Sequence, residues 1–110
     1  RASLAISQNE IYSYIVHVIT RKRLREFAAR HREAEEPLGV WYAIVSRTDF
    51  GSFAELRRVF RSVDKVGKFT VFDIGGDKYR LIAAIHYNRK KVYIRHVLTH
   101  AEYDQDKWKE

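Results

Sequence analysis

The stretch KFTVFDIGGDKYRLIAAIHYNRKKVYIRHVLTHAEYD, residues 68–104, decides the fold. Apolar and polar residues alternate along it in runs separated by short turn signals, the mark of half-buried strands. Gly75-Gly76-Asp77 contains the glycine pair that accepts a hairpin's positive φ, and Asn88 opens a second turn at Asn88-Arg89-Lys90. The pattern predicts three antiparallel strands in a meander.

Successive side chains on a strand point to opposite faces, so the faces can be assigned. On the middle strand Tyr79, Leu81, Ala83, Ile85 and Tyr87 form the core face, and Arg80, Ile82, Ala84 and His86 the other. On the third strand Val92, Ile94 and Leu98 are the apolar set, which sends Tyr93, Arg95, Val97 and Thr99 to the side of Arg80. On the first strand Phe69 and Val71 suit the core while Lys68 and Thr70 point outward. Phe72 and Ile74 fit this scheme poorly, as a bulge or a second apolar patch. The expected result is an open sheet face carrying Lys68, Arg80, His86 and Arg95. Thr99, His100, Tyr103 and Asp104 gather where the last strand ends. Cations grouped on a sheet face contribute little to packing and invite an anion, a phosphate above all.

Upstream, residues 14–19 (YIVHVI) read as a first strand, with Thr20 placed to cap the next element. From Arg21 to about Glu33, Leu24, Phe27, Ala28 and His31 recur at helical spacing. The opposite side holds Arg21, Lys22, Arg23, Arg25, Arg30 and Arg32 against the single Glu26, either a solvated face or an RNA contact. Glu35-Glu36-Pro37 suits the first turn of a second helix with the stripe Leu38, Trp41, Tyr42 and Val45, Trp41 reading as core. Ser52 and Glu55 read as a capping box opening a third helix, and residues 64–67 as a link to the meander. Residues 1–13 show no clear period and form an N-terminal extension, leaving 14–110 as one domain. The expected order is β-α-α-α-β-β-β plus a short C-terminal helix or turn: an α+β fold, an antiparallel sheet with helices on one face and the other face open.

Composition narrows the chemistry. With no cysteine, a disulfide scaffold, a thiolate nucleophile and any Cys-based metal site are excluded. A net charge of +7 and a pI near 9.8 match the footprint of a nucleic-acid binder, and would serve an acidic protein partner equally well. No apolar run approaches the roughly 20 residues of a membrane span, and no signal peptide is visible, so a cytoplasmic location without membrane attachment is expected. No cofactor is expected. No metal is expected either: His96 and His100 on a strand lie about 13 Å apart, too far to share an ion. Gly75-Gly76 lacks the Lys-Ser/Thr of a phosphate loop, and no serine sits in a nucleophile elbow.

Metal-free phosphodiester cleavage needs a base, an acid and fixed cations around the scissile phosphate. Lys68, Arg80 and Arg95 can supply the cations, while His100 and Tyr103 can handle protons. A blander reading stands beside each: Arg95 could pair with Asp104 or Glu102, and Tyr103 could anchor the C-terminus.

The segments SFAELRRVF, VFDIGGDKYRLIAAIHYN and VYIRHVLTHAEYD together resemble the HigB toxins of bacterial toxin–antitoxin pairs, within the RelE-like superfamily. The resemblance spans about Ile15 to Trp108. It implies an mRNA interferase cutting translated messages in the ribosomal A site, a HigA-type helix-turn-helix antitoxin as partner, and RNA on the open sheet face. Arg80 matches the arginine that begins the middle strand in RelE-like toxins, and Tyr103 falls near their C-terminal tyrosine. The lysine pair that RelE-type toxins carry on the first meander strand would fall at Thr70 and Phe72, so the base cannot be transferred from that pattern; His100 and Lys68 are the alternatives. The catalytic set implied is Arg80, His100, Lys68 and Tyr103. RNA contacts are expected at Arg95, His86, Arg21 and Lys22. Two further readings use the same residues: a non-catalytic RNA-binding domain, and a protein-interaction module docking an acidic partner through the Arg-rich helix.

Overall fold

The computed structural model describes residues 15–109. The extension assigned to residues 1–13, and Tyr14 of the first expected strand, lie outside the described residues. The elements in chain order are β1 (His17–Ile19), α1 (Arg21–Arg30), a 3-10 turn (Arg32–Ala34), α2 (Glu35–Arg47), α3 (Phe53–Val59), β2 (Asp64–Val66), β3 (Phe69–Ile74), β4 (Tyr79–His86), β5 (Lys91–Thr99), α4 (His100–Asp104) and a final 3-10 turn (Lys107–Lys109). The fold is α+β, a sheet with three helices packed on one face.

The sheet has five strands in the order β1-β5-β4-β3-β2. The meander is present, and two features enlarge it. Residues 64–66, expected to be a link, form β2, which pairs antiparallel with β3 through a turn at Gly67, whose φ is +60°. Three residues are too few to show a period, so the strand is visible only in its pairing. At the far edge β1 runs parallel to β5, with Val18 opposite Val92, so the sheet is mixed rather than purely antiparallel.

Turn geometry sets the register. Gly75 and Gly76 have φ of +63° and +73°, and the loop they open places Ile74 opposite Tyr79 and Asp73 opposite Arg80. In the second turn the left-handed residue is Lys90, with φ +56°, rather than Asn88. Its ammonium pairs with Asp49 and donates to the Phe50 carbonyl at 3.2 Å, tying down a backbone conformation that a non-glycine residue rarely adopts.

Two face assignments are corrected by this register. Phe72 and Ile74 lie with Leu81 and Tyr79 against the helices, whereas Phe69 and Val71 lie on the side of Arg80 and Ile82. The second apolar patch exists, but it is made by the other pair. On β5 the ladder shifts by one residue: Ile82 faces His96 and Ala83 faces Ile94, so Arg95 is the extra residue of a bulge. Beyond it every side chain changes face. Val97 and Thr99 turn toward the helices, while His96 and Leu98 join Arg80.

The main core lies between sheet and helices. Leu24 and Phe27 of α1, Leu38, Trp41 and Val45 of α2, and Leu56 of α3 bury their side chains against Phe72, Leu81, Ala83 and Ile94. Trp41 packs edge-on to Phe72 at 5.3 Å, so it is core, not a stacking platform. Ser52 caps α3 by accepting from the Glu55 amide at 3.3 Å, while the Glu55 carboxylate takes the Gly51 amide at 2.8 Å.

Candidate active site

The face expected to be open is half covered. Thr99 and Glu102 form a complete capping box that starts α4, and the chain then folds back so that Trp108 is buried with Val71 and Ile82. The indole stacks on Tyr103 at 5.1 Å and 14°, meets Phe69 edge-on at 6.1 Å, and donates Nε1–H to the Tyr103 carbonyl at 3.0 Å. A single tryptophan in a polar tail, KWKE, is the sequence signal for such an anchor.

Arg80 projects from this face beside the anchored segment and keeps 12% of its side-chain surface exposed. Its Nε lies 3.2 Å from Asp73 Oδ1, and its Nη1 donates to the carbonyls of Asp77 at 2.8 Å and Tyr79 at 3.2 Å. The guanidinium sits over the Tyr103 ring at 5.4 Å. Of the five N–H groups of a guanidinium, those on Nη2 are the ones with no partner among the described residues. Arg80 is therefore a rigidly held donor that offers one amino group to an anion. Asp73 is the residue sequence reasoning missed: counting back across the turn pairs it with Arg80, but the inverted assignment of β3 concealed this.

His100 opens α4. Its Nδ1 lies 3.3 Å from the Asp77 carbonyl, the same oxygen that receives Arg80, and its Nε2 lies 3.0 Å from Asp104 Oδ2. Both partners are acceptors, so a ring carrying both protons satisfies both contacts. His100 and Asp104 are about half exposed and more, respectively, so the Asp104 contact can yield to a substrate oxygen. Burial, together with the charge of Asp64, pushes the Tyr103 hydroxyl above its ordinary value; Arg80 and Lys109 oppose this only in part. Tyr103 thus stays protonated at neutral pH and can donate. Trp108 stacks on its ring and the Arg80 guanidinium lies over it at 5.4 Å, so the ring is engaged by protein groups rather than presented as an open platform.

Arg80, His100 and Tyr103 are thus brought together; the other expected site residues are not. Lys68 sits in the β2–β3 turn, its Nζ 5.5 Å from the Phe69 ring. Asp73 lies five positions further along the chain, about 16 Å at 3.3 Å per residue. His86 is six residues along β4 from Arg80, about 20 Å away, and packs against Tyr93 at 5.2 Å. Arg95 is exposed in the bulge and forms no ion pair among the described residues. Arg21 and Lys22 belong to the helical layer behind the sheet: Arg21 lies over Tyr42 at 4.4 Å and Lys22 pairs with Glu26 at 3.8 Å. Beside them a concavity of about 550 Å³ separates α1 from α2, far from the Arg80 cluster. Among the described residues no three His, Asp or Glu side chains are grouped to hold a metal ion.

The comparison with known proteins decides the family. Residues 34–106 match the HigB toxin family, described as the RelE-like toxic component of a toxin–antitoxin system. The chain belongs to that family. It is 31% identical over 93 residues to the mRNA interferase HigB of Escherichia coli O6:H1, covering 82% of this chain and 90% of the relative. It is 33% identical over 92 residues to the mRNA interferase toxin HigB of Escherichia coli K12, and equally to the mRNA interferase HigB of Shigella flexneri, covering 81% of this chain and 88% of each relative. Membership makes the chain a toxin component of a toxin–antitoxin system, and places it among enzymes named mRNA interferases. The matched region runs from the end of the first 3-10 turn through α4, so it takes in Arg80, His100 and Tyr103. No helix among the described residues is long and apolar enough to cross a membrane.

Proposed function

We propose that this HigB-family toxin is an endoribonuclease that cuts translated mRNA in the ribosomal A site, without a metal, by attack of the 2′-hydroxyl on the adjacent phosphate. The observation that carries the reading is the convergence of Arg80 and His100 on one carbonyl oxygen, at 2.8 and 3.3 Å, with the Tyr103 ring 5.4 Å from the Arg80 guanidinium.

The roles follow from the contacts. Arg80 Nη2 meets the non-bridging oxygens, where negative charge grows as the phosphorane forms; Asp73 and two carbonyls hold the guanidinium in place, so no reorganisation is needed. The 2′-hydroxyl loses its proton to solvent and its oxygen bonds to phosphorus. The bond to the 5′-oxygen breaks, and His100 passes a proton to that oxygen once a substrate atom replaces Asp104 at Nε2. Tyr103 donates a hydrogen bond to the phosphate. The products are a 2′,3′-cyclic phosphate and a 5′-hydroxyl. The partner that silences the toxin is a HigA-type helix-turn-helix antitoxin, and toxin and antitoxin meet in the cytoplasm.

The test is cleavage of an mRNA in a purified translation system, with wild type beside Arg80→Ala and His100→Ala and the 3′ ends of the products identified. The expected outcome is cuts within the reading frame that carry 2′,3′-cyclic phosphate, with Arg80→Ala slower by about 100- to 1000-fold, the usual cost of one lost charge-stabilising donor. Wild-type turnover by Arg80→Ala removes the central assignment. Intact mRNA with RNA still bound would show a binding domain instead.

A further inference from the structure

The buried tail does more than anchor Tyr103. It builds a file of three rings, Tyr103, Trp108 and Phe69, leading from the Arg80 cluster across β3 toward the β2–β3 turn. Each ring carries one cation: Arg80 at 5.4 Å from Tyr103, Lys109 Nζ at 5.6 Å from Trp108, and Lys68 Nζ at 5.5 Å from Phe69. The rings themselves are not a platform for bases. Trp108 is only 4% exposed and packs with Val71 and Ile82, so the rings are a floor along which the lysine stems lie. What this floor presents outward is a line of positive charge.

The three cations are not equivalent. Asp73 and two carbonyls hold Arg80, and Asp106 lies 3.3 Å from the Lys109 ammonium. Lys68 has no ion-pair partner among the described residues and is exposed. An exposed, uncompensated cation held over an aromatic face is available for a polyanion at little desolvation cost. With its backbone about 16 Å from Asp73 along β3, Lys68 is placed to meet a phosphate other than the one held at Arg80.

We propose that Lys68, helped by Lys109, is a distal binding subsite for the backbone of the RNA substrate, which leaves the Arg80 cluster along the Tyr103–Trp108–Phe69 file. Lys68 is therefore a grip on the strand and takes no part in proton transfer. This rests on the endoribonuclease reading of the Arg80 cluster, and the test separates the two.

Binding of a single-stranded oligoribonucleotide is followed by fluorescence anisotropy across a salt series, for wild type, Lys68→Ala, Lys68→Arg and Lys109→Ala. The same proteins are assayed for mRNA cleavage in the purified translation system. For Lys68→Ala the magnitude of the slope of log K against log salt falls by about 0.7, the contribution of one phosphate contact on a single strand. KM rises several-fold while kcat is unchanged. Lys68→Arg restores both, because one positive charge suffices for a phosphate held at a point. Lys109→Ala shows the same pattern, smaller, since Asp106 already offsets its charge. The proposal is overturned if Lys68→Ala lowers kcat with KM unchanged, or keeps both the wild-type slope and the wild-type KM. Wild type that binds RNA with a slope sensitive to Lys68 but never cleaves it would defeat the endoribonuclease reading and leave the subsite standing.

Discussion

The two faces of the sheet are finished in opposite ways. Behind it, α1, α2 and α3 close one continuous core in which Phe27, Leu38, Trp41, Leu56, Phe72 and Leu81 are all buried. In front, a small cluster of Val71, Ile82 and Trp108 is held down by the short C-terminal segment, and Arg80, His100 and Tyr103 stand at its border. The first face is largely apolar, with Thr70 and Ser46 as buried polar side chains within it. The second buries only Val71, Ile82 and Trp108, and at its border one amino group of Arg80 is left without a partner among the described residues. On the proposed reading, alternate residues of one strand divide the two tasks: Leu81 faces backward into the core and Arg80 forward to the candidate site.

The largest effect on stability is expected from Leu81→Ala. It empties a fully buried site in the main core and should cost about 2–5 kcal/mol in denaturant unfolding, with the transition remaining a single cooperative step. A loss under about 0.5 kcal/mol, the range of an ordinary surface substitution, would break the comparison, since it would mean that the rear face does not carry the fold. Trp108→Ala comes next and sharpens the contrast. The tail can release locally, so global stability should fall by less than about 2 kcal/mol while amide exchange rises selectively over residues 99–109. Cleavage should fall at least ~10-fold, because Tyr103 and His100 lose their support. Trp108→Phe, which keeps a ring but loses the 3.0 Å bond to the Tyr103 carbonyl, should lie between.

The smallest effect concerns His96, which faces Ile82 across the β4–β5 ladder. Burial first, then the charges of Arg23 and Arg95, pushes its pKa below the ordinary 6.5. A folded-state value below the unfolded one means that the fold favours the neutral ring. The associated stability is present above pH 6.5 and is lost as pH falls through the lowered value. Thermal unfolding of His96→Gln should therefore lose less stability than wild type between neutral and mildly acid pH. An identical acid slope in the two proteins would remove His96 from the account.

Much of the fold was legible because it rests on local periodicity. Alternation marked β3, β4 and β5, the helical spacing of Leu24, Phe27 and Ala28 marked α1, and Ser52 marked the start of α3. Arg80, His100 and Tyr103 could be placed together because the turn at Gly75-Gly76 and the end of β5 bring them to the same corner of the sheet. Lys68 and His86 were grouped with them by face alone. A face on which they lie about 16 and 20 Å along β3 and β4 from the cluster is wider than one phosphate site, and only register and distance separate its ends.

By itself, then, the sequence determined the three meander strands and the helices, that every second residue of β4 from Tyr79 to Ile85 is apolar, and that the excess charge is positive; each of these is a property of neighbours along the chain. Tertiary structure decided which face of β3 looks inward, because Phe69, Val71, Phe72 and Ile74 are equally apolar and only the pairing of Asp73 with Arg80 distinguishes them. It decided the reversal beyond Arg95, because a bulge is a mismatch in length between β4 and β5 that neither strand shows alone. It also decided how the site is held, because Asp73, Trp108 and the Asp77 carbonyl reach Arg80, Tyr103 and His100 through contacts that exist only once the hairpin has closed and the tail has folded back onto the sheet.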